Sequence, residues 1–190
     1  TSVTYTSSIT DQELEVLWTR FTLQMAASNA LQPKSDSHSV GFMCHEFYFW
    51  HDTGSYIGHL LPSPAQMLQP SKHFEEPETK RRFHNLLSAS GYLDKMQKIA
   101  PRYATEEEIG MFHTKDYIEK VKEASGRGGG DLGFQAVSGP GSFEIASLAV
   151  GGCFAAVDAI LDPTHPTPVR HAYALVRPPG HHAESYRGMG

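Results

Sequence analysis

Apolar residues recur along the chain at the spacings typical of helices and strands. The first such stretch follows a capping-box sequence, Thr10–Glu13, and repeats at helical spacing. It predicts a helix that ends near Ala30, because Pro33 and the polar residues after it cannot extend a helix. We therefore expect residues 1–39 to form an appendage with one amphipathic helix, whose apolar stripe docks on the body or on a neighbouring subunit.

The remaining residues, 40–190, alternate helical patterns with apolar runs that are typical of buried strands. This alternation indicates an α/β fold in layers. The first predicted elements are a strand from Val40 leading into a loop by Trp50, and a long surface loop at 51–69. Three helices follow: one from Pro77 to a stop at Gly91 with Phe83, Leu86 and Leu87 inside, one capped by Thr105, and one from Thr114 to Gly126. The last elements are an irregular glycine-rich stretch at 126–133, a small-residue helix at Phe143–Leu161, and a strand at His171–Arg177 with both faces covered.

Composition narrows the classes of function. The 190 residues are 39% hydrophobic and carry a net charge of −5, which argues against direct binding to nucleic acid, since that requires a basic face. We expect no apolar run as long as the ~20 residues of a membrane span, and therefore no membrane partner. Cys44 and Cys153 are interpreted as buried free thiols of a reducing compartment, so we expect a cytoplasmic protein, or a nucleocytoplasmic one in a eukaryote.

The main candidate chemistry lies at the last predicted strand. Its end is followed by Pro178, Pro179 and Gly180, which fix a sharp turn, and then by His181 and His182. In open α/β sheets, ligands bind at the carboxyl ends of the strands. Imidazole titrates near neutrality, so one histidine of such a pair can shuttle a proton while the other stays charged and stabilises.

The other polar motifs do not by themselves predict a functional site. If the backbone from His45 to His51 is extended, the two imidazoles lie ~20 Å apart, which does not make a metal site. His113, at the start of a helix, is expected to be structural. Asp131 follows three glycines, a context typical of turn chemistry. The glycine-rich stretch lacks the Gly-Lys-Ser/Thr of a phosphate loop, so nucleotide binding is not expected.

Roughly residues 40–190 resemble the zinc-dependent histone deacetylases, in particular the class II branch and the bacterial histone deacetylase-like and acetylpolyamine amidohydrolases. The motif Arg177-Pro178-Pro179-Gly180-His181-His182-Ala183 carries the resemblance most specifically. The other matching segments, in the same order along the chain, are Tyr48–Gly54, Pro77–Phe83, Phe112–Tyr117, Gly129–Asp131 and Phe143–Ala146.

The resemblance implies the N-terminal portion of an arginase/deacetylase-type three-layer α/β/α sandwich with a parallel sheet. It also implies a zinc-dependent hydrolase that removes acetyl groups from acetyl-lysine in a peptide or from an acetylated polyamine. In that family pattern His182 is the general base and then acid, and His181 is its electrostatic partner. Asp131 corresponds to a rim aspartate that holds the substrate's backbone amides. Gly190 corresponds to a glycine whose carbonyl accepts a hydrogen bond from the substrate amide.

The resemblance also implies that the zinc ligands lie downstream of Gly190, since none can be assigned in this chain. We therefore expect residues 40–190 to be the N-terminal part of a deacetylase domain, inactive and unstable or partner-dependent alone. The alternative is a non-catalytic, truncated deacetylase-like module that binds acetylated ligands or serves as a subunit. A ureohydrolase is the weaker alternative, because its Asp-rich manganese motifs are absent. The N-terminal helix could support a homo-oligomer.

Overall fold

A computed structural model describes residues 40–53, 75–134, 136–166 and 168–189. The predicted N-terminal helix and positions 54–69 of the predicted loop lie outside these ranges, so the boundary at residue 39 stays a prediction. The elements are β1 (Val40–Cys44), a 3-10 helix (Glu46–Trp50), α1 (Pro77–Ala89), a 3-10 turn (Leu93–Lys95), β2 (Gln97–Lys98), α2 (Glu106–Gly110), α3 (Lys115–Gly126), β3 (Gly130–Asp131), β4 (Gly133–Phe134), β5 (Val137–Ser138), α4 (Ser142–Leu161), β6 (His171–Leu175) and β7 (Gly188–Met189).

Three parallel strands form the central sheet in the order β2-β1-β6. The register pairs Val40 with His171 and Cys44 with Leu175, so β1 and β6 end together. Helix α4 packs on one face, where Met43 joins the main apolar core. Helix α1 lies on the other face, where the Phe83 and Tyr173 rings are 5.5 Å apart. Helices on both faces of a parallel sheet make the three layers that the sequence predicts.

Small residues let α4 lie close to its neighbours. A Cβ on Gly152 would come within 2.6 Å of the Met43 methyl carbon, and one on Gly151 would overlap the backbone carbonyl of Arg102. The Tyr48 hydroxyl donates to the Leu148 carbonyl at 3.1 Å, which ties the 3-10 helix to α4. Helix α4 therefore packs directly against β1 of the sheet.

The predicted helix ends are observed. Pro77 occupies the first turn of α1, and Gly91 follows its end with φ +70°, a value that glycine adopts without strain. Thr105 and Glu108 form the predicted capping box of α2. The Thr114 hydroxyl accepts from the Tyr117 amide at the start of α3, which ends at Gly126 as expected. Each of these boundaries is set by residues that are close together in the sequence.

Several expectations about burial are wrong. Leu86 is 56% exposed although its spacing predicts the inner face of α1, a helix none of whose residues is fully buried. Strand β6 is an edge strand among the described residues, and its Tyr173 is 47% exposed, so only one face is well covered. Cys153 is exposed and Cys44 is half-buried, although both are free thiols as expected.

The glycine-rich stretch is not wholly irregular, contrary to expectation. β3 pairs antiparallel with β5, and β4 pairs parallel with β7. A side chain on Gly129 would overlap the Ser138 carbonyl, so the missing side chain is what permits this pairing.

The expectation about apolar run length is also wrong. By length and composition α4, with 20 residues and a mean hydropathy of 1.7 over its most apolar window, could cross a membrane. Half of that window is buried inside the structure, and a core helix of a soluble protein passes the same test.

Candidate functional site

The paired histidines lie at the carboxyl end of β6, where the sequence predicts them. After Leu175 the chain passes through a cis Arg177–Pro178 peptide into a turn closed by the Ala183 amide, which donates to the Gly180 carbonyl at 3.0 Å. His181 and His182 are exposed on this turn, with ring centroids 4.1 Å apart and planes inclined by 53°. Two accessible imidazoles at this edge can act on a bound ligand.

The segment that follows β1 reaches the same edge of the sheet, because β1 and β6 are parallel and in register. His45 caps the 3-10 helix there, with its Nδ1 accepting from the Phe47 amide at 3.1 Å. The assumption of extended backbone between His45 and His51 is therefore wrong, since residues 46–50 are helical. His51 is buried, and its Nδ1 lies 3.1 Å from the Ser142 hydroxyl at the start of α4.

A fully buried arginine anchors the start of the histidine turn. Arg177 is 0% exposed. Its Nε and Nη2 donate to the Glu75 carboxylate at 2.8–3.1 Å. Its Nη1 donates to the backbone carbonyls of Tyr48 and His51 at 3.1 and 3.0 Å. One guanidinium thus joins the end of β6 to the segment before α1 and to the segment after β1.

Glu75 carries the balancing charge for this arginine. Burial alone would raise the pKa of its carboxyl, but hydrogen bonds from Arg177 and Lys80 outweigh that effect and lower the pKa to about 2. The Lys80 ammonium lies 2.9 Å from Glu75 Oε1. Glu75 is therefore a carboxylate at neutral pH, held between two cations.

Sequence reasoning assigns no role to Glu75, Arg177, His51 or Ser142. One signal for Arg177 is present in the chain: it is a lone charge directly after an apolar strand. Such a side chain enters the interior only with a partner. Nothing in the sequence identifies that partner, which lies 102 residues earlier.

Asp131 is the last residue of β3, and in the short connection to β4, the Asp131 loop (residues 131–133), its Oδ1 accepts from the Gly133 amide at 2.9 Å. This contact is the turn chemistry that its sequence context favours, and the residue is exposed. The Gly188 amide donates to the Leu132 carbonyl at 3.0 Å. The structure therefore brings the Asp131 loop against the segment that follows the histidine pair. Gly190 lies outside the described residues, so its predicted role stays a prediction.

The segment after the histidines is held at several points. Glu184 and Arg187 form an ion pair at 2.8 Å, and the Thr114 amide donates to the Ser185 carbonyl at 2.8 Å. Close packing continues at Gly188, where a Cβ would lie 2.9 Å from the Tyr117 hydroxyl. Burial raises the pKa of Tyr117, so its hydroxyl stays protonated at neutral pH. The histidine turn is thus fixed on both sides.

A cavity of about 510 Å³ lies behind the turn, between α3 and α4. Its lining is mainly apolar and includes Pro178, Pro179 and Gly180, but neither His181 nor His182. His113 lines it too, and its Nδ1 is a buried atom with no hydrogen-bond partner among the described residues. The His113 and Tyr117 rings are packed with centroids 5.2 Å apart and planes inclined by 46°, consistent with the expected structural role.

Within the described ranges, no three His, Cys, Asp or Glu side chains cluster in a way that could hold a metal ion. A zinc site needs at least three such protein ligands. The described part of the chain therefore does not fit a zinc centre by itself, and no chemical step through zinc can be derived from it.

Comparison with known proteins identifies the family of this parallel α/β sandwich with paired histidines at a strand's carboxyl end. The histone deacetylase domain model matches residues 73–190. The chain therefore belongs to the histone deacetylase domain family. Its fold is the arginase/deacetylase type, as the sequence predicts.

Individual relatives agree with this assignment. A histone deacetylase-like amidohydrolase of Pseudomonas aeruginosa is 38% identical over 80% of this chain and 39% of its own length. The human polyamine deacetylase HDAC10 is 34% identical over 64% of this chain and 18% of its own length. The crystal structure of the HDA15 HD domain matches with a TM-score of 0.66 and 27% identity, covering 82% of this chain and 40% of that one. The chain thus spans less than half the length of these relatives.

Proposed function

We propose that the whole protein to which these residues belong is a deacetylase that hydrolyses the amide bond of an acetylated amine. The observation that carries the proposal is the His181–His182 turn at the carboxyl edge of a parallel sheet, in a chain of the histone deacetylase domain family. Amide hydrolysis requires a base that activates water and an acid that protonates the leaving amine. Adjacent, accessible imidazoles can supply both functions.

The two histidines take different roles in this proposal. His182 accepts a proton from the attacking water and then donates it to the leaving nitrogen. His181, 4.1 Å away between ring centroids, stabilises the charge that develops beside it. Asp131 and Gly190 hold the substrate at the rim. The Asp131 loop is packed against the residues that follow the histidines, which supports its part in the same site.

We further propose that the whole protein depends on Zn²⁺, with ligands outside the described residues. Zinc, when bound, supplies an acidified water and polarises the carbonyl. The test uses the full-length protein, stripped with a chelator and then reloaded. Acetate release that falls on stripping and returns with added Zn²⁺ supports the proposal, whereas full activity in the stripped protein contradicts it.

Substrate class is the finer part of the proposal. One relative is named for histone deacetylase-like activity and another for polyamine deacetylation, so both an acetyl-lysine peptide and an acetylated polyamine are candidates. Acetate release from the two substrates at equal concentration compares them directly. A kcat/KM at least about tenfold higher for one of them assigns the class. Activity on neither refutes the proposed function.

The second candidate function is a non-catalytic module. The observation that favours it is the absence of a three-ligand metal cluster from the described residues. The intact mass of the polypeptide from its natural source separates the two functions. A mass near 21.0 kDa, that of this chain, favours the module, and a mass near twice that value favours the enzyme.

A further inference from the structure

We infer that Arg177 is a positioning residue for His182, and that Glu75 locks it in place. Its guanidinium fixes the start of the histidine turn against two other segments of the fold. This inference deepens the proposed deacetylase function and rests on it for its kinetic consequence.

The contacts of the Arg177 guanidinium are complete. All three guanidinium nitrogens donate: Nε and Nη2 to the Glu75 carboxylate, and Nη1 to the carbonyls of Tyr48 and His51. The side chain is 0% exposed, while that of Glu75 is 14% exposed. Burying a charge at such a position is costly without this pairing. Because the guanidinium is buried and its donors are paired, residue 177 is restricted to one backbone position.

The connection between Arg177 and the histidines is short and stiff. Pro178 and Pro179 have restricted φ and separate the anchor from Gly180, where the histidine turn begins. The turn is closed by the bond from the Ala183 amide to the Gly180 carbonyl. Because the two prolines allow little local adjustment, a shift of residue 177 is transmitted to His182.

The same arginine also joins the walls of the candidate site. The His51 carbonyl that it holds belongs to a residue whose ring contacts Ser142 at the start of α4. Through Glu75 it also reaches the residues that precede α1. Lysine cannot reproduce these contacts, since its ammonium lacks the planar fork that bonds a carboxylate and two carbonyls at once. The requirement is for a guanidinium, not for positive charge alone.

The test uses the full-length protein with Arg177→Lys and Glu75→Gln. The second variant keeps the arginine and its two carbonyl contacts, so it remains informative if the first does not fold. Arg82→Gln is the control, because it also disrupts an arginine–glutamate ion pair, but at a side chain that is 79% exposed. Two readouts are taken: steady-state kinetics of acetate release, and hydrogen exchange of the amides in residues 180–189 and in α4.

We expect kcat to fall on the order of 100-fold in both variants with KM within about threefold of wild type, since a small misplacement of a catalytic group has such an effect. Amides of residues 180–189 should lose about tenfold more protection than those of α4, whose exchange reports the loss of global stability. Arg82→Gln should match wild type in both readouts. Unchanged exchange at 180–189 in Glu75→Gln overturns the inference. Equal acceleration in α4 also overturns it, because the effect is then global destabilisation.

The two readouts separate this inference from the proposed function. If the wild-type protein releases no acetate, the proposed function fails, and the exchange measurement still decides whether Arg177 fixes the turn. If the wild type is active and the turn loosens without a loss of kcat, the deacetylase stands and the positioning role is overturned.

Discussion

Replacing Glu75 with glutamine should destabilise the protein at neutral pH and much less in acid. The change leaves the buried guanidinium of Arg177 without its counter-charge. Burial alone would raise the pKa of Glu75, but stronger hydrogen bonding lowers it from 4.5 to about 2 on folding. Each pH unit of such a difference corresponds to about 1.4 kcal/mol, so the ionised carboxylate contributes about 3 kcal/mol to the free energy of unfolding at pH 7.

The direction of the pH dependence follows from the lowered pKa. Because the folded pKa lies below the unfolded one, this contribution is complete above pH 4.5 and is lost as the pH falls toward 2. About 2 kcal/mol of it should be gone by pH 3. The difference between wild type and Glu75→Gln should therefore shrink steadily between pH 5 and pH 3.

Urea unfolding of the full-length protein, followed by tryptophan fluorescence at several pH values, measures this difference. Glu78→Gln is the matched control, since Glu78 also pairs with an arginine, but with its own side chain 48% exposed. Its effect should be a few tenths of a kcal/mol. A stability difference for Glu75→Gln that stays constant from pH 7 to pH 3 would refute the assignment of Glu75 as an ionised, largely buried partner of Arg177.

Two further predictions concern the packing of α4 and the rim of the candidate site. Gly151→Ala should destabilise the protein by about 2 kcal/mol, because its Cβ overlaps the Arg102 carbonyl and lies 2.5 Å from the Ala104 nitrogen. Gly126→Ala, with nothing within 4 Å, should change stability by less than about 1 kcal/mol, and thermal unfolding compares the two. Asp131→Ala should raise KM for acetate release about tenfold at unchanged kcat, and an unchanged KM would contradict its substrate-holding role.

Local signals predict a large share of the fold. The ends of α1, α2 and α3 follow from Pro77, Thr105 and Thr114, whose effects depend only on the next few residues. The position of the histidine turn follows from an apolar run and two prolines. These features can be predicted from the sequence because the residues that create them are adjacent in the chain.

Contacts between residues that are distant in the sequence cannot be predicted in this way. The partner of Arg177 lies 102 residues away, and no periodicity connects the two. The pairing of β4 with β7 likewise depends on close backbone approach at Gly133, whereas a glycine run by itself predicts an open loop. The exposure of Leu86 shows that helical spacing identifies an apolar face but not how much of it is covered.

The most direct test of the central claim is the kcat of acetate release by the full-length protein and by its His182→Ala variant, at saturating substrate. If His182 transfers the proton, kcat should fall by about 10²- to 10⁴-fold, while KM changes little. A His182→Ala protein that releases acetate at the wild-type rate would contradict the account, because the histidine turn would then have no part in the chemistry.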